Sequence, residues 1–426
     1  MSKVDVVVSC PIDTYSGYGA RSRDLVKALL KLDKYNVKVL AQRWGNTRFG
    51  YLEDHLEEEL AKCITPQLTS QPDVWIQVTV PNEFQAIGKY NIGVTAGIET
   101  TVSDPSWIQG LNRMNLNLVS SQHAKDTFLR SRFDVENKGQ KQGQLGVEKP
   151  IEVLFEGADL EKYFPTETMA NMEINLDLDS IKESFCFLFV GHWLQGDFGQ
   201  DRKNVGYMIK AFLEVFKNKK KQPALILKTQ SANASIMDRD AILKKIEDVR
   251  KTVKGTLPNI YLLHGEMSDD EINELYNHDK VKAMVSFTKG EGFGRPLLEF
   301  SLVNKPIIAS AWSGQIDYLS PEFTYAVKGS LEKVHPSAAV KNMILEQAEW
   351  FKPDDGDAGT ALRVVYENYK KYAELAKRQG YRSRTEFSFE KMAERLDEIL
   401  SSNVPEFPKQ VELKLPKLEL PKLQKL

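Results

Sequence analysis

Short apolar runs recur along this chain, separated by stretches of helical periodicity. Runs at 4–8, 37–40, 74–78, 92–95, 116–120 and 151–155 are rich in Val, Ile and Leu and predict strands. Between the first two, residues 22–32 place Leu25, Val26, Leu29 and Leu30 on one helix face. The Gly-, Gln- and Lys-rich stretch 138–149 predicts a solvated loop, and the polar, acidic stretch 165–184 a connection. The pattern then restarts. Residues 185–190 are continuously apolar and end in Gly191; a helix at 205–217 and strands at 224–228, 260–263, 283–287 and 306–309 follow. Unbroken apolar runs are those of strands buried on both faces of a parallel sheet. The expected fold class is therefore α/β, with two Rossmann-like doubly wound domains facing a cleft at the carboxyl ends of their strands. Residues 361–400 read as helices broken around 380–388, with Ser388 as an N-cap and Met392, Leu396 and Leu400 on one stripe. The Leu-Pro-Lys-Leu repeats at 415–418 and 420–423 forbid a regular helix, so an extended or unfolded arm is expected from Val404 onward.

Composition narrows the class further. At 426 residues the chain holds two or three domains, and 42% apolar with 27% charged residues is the balance of an ordinary globular protein. A net charge of −2 excludes a global pull toward nucleic acid or membrane and leaves only local basic patches. Cys10, Cys63 and Cys186 are sparse and odd in number, which fits a reducing compartment. No run approaches the ~20 apolar residues of a membrane span, and the start has no apolar stretch of leader length. The expectation is a cytoplasmic protein with no integral membrane segment.

The most informative segment is Gly290-Glu-Gly-Phe-Gly-Arg-Pro-Leu-Leu-Glu299, directly after a strand. Its glycines let backbone amides approach a ligand, and Pro296 suits the first turn of a helix, whose free N–H groups favour phosphate. Glu299, a carboxylate, is suited instead to accept hydrogen bonds from sugar or ribose hydroxyls, and Glu291 sits on the strand-end loop facing the cleft. The plain alternative is a tight turn with two solvated glutamates; Gly-Phe-Gly and Pro between them weigh against it.

This segment resembles the Glu-x7-Glu motif of the large family of retaining glycosyltransferases of the family 4 type, which have the GT-B fold and use nucleotide-sugar donors. The resemblance is good over residues 185–319. It takes in the strand ending at Gly191, Asp201-Arg202-Lys203-Asn204, the strand and turn at 260–265 with the helix at 267–276, and the loop with Ser313 and Gly314. In the N-terminal half it covers only 16–30, 93–121 and 153–164.

The resemblance implies a nucleoside diphosphate, such as UDP, as leaving group, with Arg202 and Lys203 stabilising the negative charge it gathers. Glu291 would hold the sugar and Glu299 the ribose. Gly292, Phe293 and Gly294 would offer amides, and Gly265, Ser313 and Gly314 would line the donor. Many relatives have Arg where this chain has His192, which is either a neutral donor or a loop histidine. Gly17 and Gly19, in Ser16-Gly17-Tyr18-Gly19, match the glycine-rich turn that closes over donor phosphate or acceptor. Glu99 stands where many relatives carry a pocket histidine; a carboxylate there hydrogen-bonds sugar hydroxyls or takes an acceptor proton.

No metal site is expected: the six histidines are scattered, and Asp177-Leu-Asp179, an Asp-x-Asp mimic, falls in the connection. The expected activity is that of a metal-independent hexosyl- or pentosyltransferase with no cofactor beyond its nucleotide-sugar co-substrate. The domains implied are 1–165 on the acceptor side, a connection 166–184, a donor domain 185–385, a helix 386–402 crossing back to the first domain, and a tail 403–426 open to a partner.

The acceptor is left open. The terse architecture resembles bacteriophage-encoded as well as cell-envelope glycosyltransferases, so the acceptor is a glycan, a lipid-linked sugar or a hydroxymethylated base in DNA. Lys125, Arg130, Arg132, Lys138 and Lys141 form a local basic run that suits phosphates or simply water. Alternatives are a GT-B-shaped sugar-nucleotide isomerase or phosphorylase, or a non-catalytic sugar-binding protein. An oxidoreductase is disfavoured because no Gly-x-Gly-x-x-Gly follows a strand.

Overall fold

The computed structural model describes residues 3–137, 140–166, 178, 180–231 and 234–407. The Asp177-Leu-Asp179 mimic, save Leu178, and the proline repeats of the tail lie outside the described residues.

The first half contains strands β1 (Val4–Cys10), β2 (Tyr35–Ala41), β3 (Val74–Val78), β4 (Tyr90–Thr95), β5 (Leu116–Val119), a hairpin β6 (Phe133–Asn137) and β7 (Gln140–Leu145), and β8 (Ile151–Val153). Six of them form a parallel sheet in the order β2-β1-β3-β4-β5-β8. The second half contains β9 (Cys186–Val190), β10 (Ala224–Lys228), β11 (Ile260–Leu263), β12 (Val281–Ser286), β13 (Ile307–Ser310) and β14 (Tyr325–Val327), a parallel sheet in the order β11-β10-β9-β12-β13-β14. A further antiparallel hairpin joins β15 (Gly329–Lys333) to β16 (Glu349–Pro353). Both sheets reverse their strand order once, between β1 and β3 and between β9 and β12, and a crevice opens at the carboxyl ends at each reversal.

Layering follows the apolar runs. On one face of β1, Val6 and Val8 pack against Leu25, Val26 and Leu29 of the helix Gly17–Leu32; on the other, Val7 meets Trp75, Trp107 and Phe128. Phe187 and Phe189 of β9 face the helix Val205–Phe216, and Leu188 faces the opposite core with Phe300. The helix Phe389–Asn403 buries Met392, Leu396, Ile399 and Leu400 in the core of the first half. Val404 and Phe407 extend that contact beyond the helix, while Pro405 and Glu406 between them are exposed.

Several boundaries differ from expectation. The first helix begins at Gly17 rather than 22, because Ser16 Oγ accepts the Gly19 N–H at 2.9 Å and caps it. Residues 140–145, expected in a solvated loop, form β7, pinned where Phe133 pairs with Leu145 against the Trp107 and Phe128 cluster. The helix Tyr369–Glu386 runs through Gly380, since Gln379 donates to Tyr318 O (2.9 Å) and Ser383 bonds Ser301 Oγ (2.7 Å); the break narrows to Phe387 and Ser388. The helix Ile236–Lys251 was missed, although Ile242, Ile246 and Val249 lie on one face behind a Ser235 cap. Among the described residues no helix is long and apolar enough to cross a membrane.

Candidate functional site

At the reversal of the second sheet, the segment after β9 and the segment after β12 converge. The turn leading into the helix Val205–Phe216 carries Arg202 and Lys203, and the loop after β12 carries Glu291. Lys203 Nζ donates to Glu291 Oε1 at 2.5 Å, and Arg202 Nη1 reaches Glu291 Oε2 at 3.1 Å and Gly290 O at 2.8 Å. All three side chains are largely buried, at 19, 13 and 8% exposure for Arg202, Lys203 and Glu291. Burial by itself would raise the Glu291 carboxyl; Lys203 and Arg202 outweigh it and hold it at about 2. The site thus keeps two cations and one anion in low dielectric.

The opposing wall comes from the first half. Glu99, after β4, lies 3.8 Å from Arg202 Nη1. The close approach of the halves explains two glycines. A Cβ on Gly290 would lie 2.0 Å from Glu99 O, and one on Gly292 would lie 2.4 Å from Ala96 O. Both positions demand glycine so that the halves can meet here, a role the sequence reading had assigned to ligand approach.

Glu299 lies on the short helix Arg295–Ser301 and is 7% exposed. Arg295 Nε donates to its Oε1 at 2.8 Å, and Arg295 also pairs with Asp24 of the first half. Burial pushes the Glu299 carboxyl up to about 7 against the pull of Arg295. Two carboxylates, Glu291 and Glu299, thereby sit in opposite protonation regimes eight residues apart.

With this geometry in view, the chain can be set beside solved structures. It is similar to HepE of Anabaena, solved with UDP and glucose, at 14% identity over 94% of this chain and 100% of that one, with a TM-score of 0.61. A glycosyltransferase of Rickettsia africae matches at 12% identity over 94% and 99% with a TM-score of 0.61. WaaG, a glycosyltransferase involved in lipopolysaccharide biosynthesis, matches at 15% over 93% and 99% with a TM-score of 0.55. The chain has the GT-B fold. No family model matches the chain, and no curated protein matches it in sequence.

Within the GT-B frame the predicted site residues separate into groups. Arg202, Lys203, Glu291 and Glu99 come together at the cleft. Phe293 turns its side chain into the core beside Tyr318, at 4.9 Å between ring centres, leaving only its backbone to a ligand. Ser313 and Gly314, expected to line the donor, brace the motif instead: Glu291 N–H donates to Ser313 Oγ and Gly314 N–H donates to Glu291 O, both at 2.9 Å. Ser313 is fully buried, which removes its hydroxyl from the cleft. Gly265 follows β11 with its carbonyl held by Lys228 Nζ at 2.5 Å. His192 is exposed, with Nδ1 3.2 Å from Ser231 O. Gly17 and Gly19 lie in the first turn of their helix, Gly17 exposed and Gly19 buried.

Sequence reading missed Arg295 and Asp24, which cross the cleft beside Glu299, and Lys289, which is 2% exposed two residues before Glu291. Arg295 was visible inside the motif but reads as a helix-start charge until its partner from the other half is known. Among the described residues no group of three or more His, Cys, Asp or Glu side chains is arranged to hold a metal ion.

Proposed function

We propose that this chain is a glycosyltransferase that moves a hexosyl or pentosyl group from a nucleoside-diphosphate sugar to a hydroxyl acceptor, with retention at the anomeric carbon and without a metal ion. The observation that carries the reading is the convergence of Arg202 and Lys203 on Glu291 at the strand-order reversal of the donor half. In the expected reaction the bond from the anomeric carbon to the diphosphate breaks as that to the acceptor oxygen forms, on the same face, and the acceptor's proton passes to the departing diphosphate oxygen. Negative charge gathers on the departing diphosphate, and two fixed guanidinium and ammonium groups in low dielectric lower that barrier. Exchange of the Glu291 contact for phosphate keeps both cations paired in every state. Glu291 is then free to face the sugar hydroxyls as a hydrogen-bond acceptor. HepE of Anabaena was solved with UDP and glucose, and UDP is accordingly the first donor nucleotide to test.

The acceptor enters from the first half. At its strand-order reversal lies a cavity of about 340 Å³ whose wall includes Ser9, Trp44, Gln77, Thr79 and Glu83. Trp44 stacks on Tyr18 with ring centres 4.0 Å apart. The Tyr18 hydroxyl shares a hydrogen bond with Thr95 Oγ1 at 2.8 Å and accepts the Ala96 N–H at 3.2 Å, linking the cavity to the backbone that abuts Gly292. Amide, carboxylate and hydroxyl groups around an indole suit a hydroxylated ring. One cation, Arg43, and one carboxylate, Glu83, line this cavity, and Arg48 further along the chain is engaged by Asp54 and Glu266. A single lining cation offset by a carboxylate is poor footing for a polyanion, and we place a saccharide ahead of DNA as acceptor. Incubation with radiolabelled UDP-hexoses and UDP-pentoses against a glycan array and hydroxymethylated duplex DNA tests the reading. Label transferred to neither, from any donor, rejects it.

A further inference from the structure

Between β14 and the helix Asp355–Glu367 the chain makes an excursion, residues 329–353, that includes the β15–β16 hairpin. Its far end leaves the donor half. The Thr101 N–H donates to Glu349 O at 2.9 Å, and the Glu349 N–H donates to Thr101 Oγ1 at 2.9 Å, so two hydrogen bonds cross the cleft. Val102 packs beside them on Val334, Ala338, Ala348 and Trp350. Thr101 is two residues from Glu99.

One register step back from Glu349, where Glu332 pairs with Trp350, Lys289 ties the hairpin to the donor loop. Lys289 pairs through its buried ammonium with Glu332 of β15 and lies 5.5 Å from the ring centre of Trp350. Its carbonyl accepts the Phe351 N–H at 2.9 Å, and its own N–H donates to Arg202 O at 2.8 Å. A single side chain and its peptide groups therefore join the Arg202 turn, the Glu291 loop and the hairpin. A buried ion pair of this kind contributes little net stability but is demanding in geometry.

We propose that the hairpin is an interdomain clasp, that Lys289 and Glu332 set its angle, and that its engagement seats Glu99 against Arg202. Lys289 and Glu332 are positioning residues in this account. The inference rests on the glycosyl-transfer reading for its effect on turnover, though not for its effect on closure. Removing the ammonium leaves Glu332, with a side chain 26% exposed, beside Lys352 at 3.7 Å, so the hairpin can fold without it. What is lost is its direction, and a displacement of about 1 Å at a reacting centre can cost up to about 100-fold in rate.

The test uses Lys289→Met, Thr101→Ala, the double variant and Lys289→Arg in the full chain. Small-angle scattering without any ligand reads closure, calorimetry with UDP reads donor binding, and consumption of UDP-sugar reads turnover. Lys289→Met and Thr101→Ala, on opposite halves and not in contact, should each enlarge the radius of gyration and lower kcat by a similar factor. UDP affinity should stay at the wild-type value, Lys289→Arg should recover most of kcat, and the double variant should fall no further than either single, as residues acting through one element do. Wild-type closure in Thr101→Ala, or losses that multiply in the double variant, would overturn the clasp. Absence of UDP binding in the wild type would count against the donor-site reading instead and leaves the scattering comparison to decide the clasp.

Discussion

Lys203 Nζ and Glu291 Oε1 stand 2.5 Å apart at the carboxyl ends of β9 and β12, with Arg202 on the other carboxylate oxygen. The cavity beside them is only about 10 Å³, lined by Val190, Lys203, Glu291 and Gly294 among others. On the proposed reading a diphosphate enters by drawing the cations off Glu291, so the ion triad would be a latch as well as a catalytic device.

Lys203→Ala should lower turnover by orders of magnitude, because removing one preorganised charge from a developing oxyanion site costs ~3 kcal/mol. It should also lower the melting temperature, since Glu291 is left buried with one partner fewer. Adding Glu291→Gln should restore part of the stability and none of the activity. Steady-state kinetics and thermal unfolding of the single and double variants separate the two effects.

Glu299 gives a pH dependence of known sign. Its carboxyl is raised to about 7 in the fold by burial, and only the ionised form accepts freely from both ribose hydroxyls. UDP affinity should therefore rise from about pH 6 to about pH 8 and flatten above. For the free protein the sign is opposite. A raised carboxyl contributes stability below its unfolded value near 4.5 that is lost as pH climbs through about 7. Glu299→Gln should flatten both profiles. A UDP affinity that falls across this range would remove Glu299 from the ribose.

Retention is expected at the anomeric carbon. Proton NMR of the first product from an α-linked UDP donor should show an α-glycoside. A β-linked first product would require attack from the face opposite the departing diphosphate and would contradict this reading.

Leu396 is fully buried where the last helix returns to the first half. Leu396→Ala should cost about 2–5 kcal/mol and depress the melting transition, whereas deleting 408–426 should leave melting and UDP affinity unchanged. Calorimetric unfolding of the two proteins checks this. A tail deletion that abolishes UDP binding would make the tail part of the catalytic unit.

Much of the fold was legible because both sheets are buried on both faces, so runs such as 74–78 and 224–228 announce themselves by composition alone. The Glu-x7-Glu segment was legible for a different reason: backbone approach, helix start and carboxylates occur together within ten residues. What stayed hidden depends on partners far apart in sequence. Arg295 acquires meaning from Asp24, 271 positions away, and Ser313 from the Glu291 amide. The β15–β16 hairpin escaped notice because β15 is almost wholly exposed and β16 buries the adjacent Trp350 and Phe351, so neither strand alternates. Gly290 and Gly292 were read as ligand glycines because no sequence shows that Glu99 O and Ala96 O press against them.

The central claim is that two side-chain cations, without metal, hold a nucleoside diphosphate in the donor half. Titration of UDP into the protein in EDTA, followed by the Arg202→Ala and Lys203→Ala variants, tests it most directly. The account predicts one site per chain, an affinity unchanged by chelator, and a marked loss in both variants. Binding that vanishes in EDTA and returns with magnesium, or that persists in both variants, would contradict it.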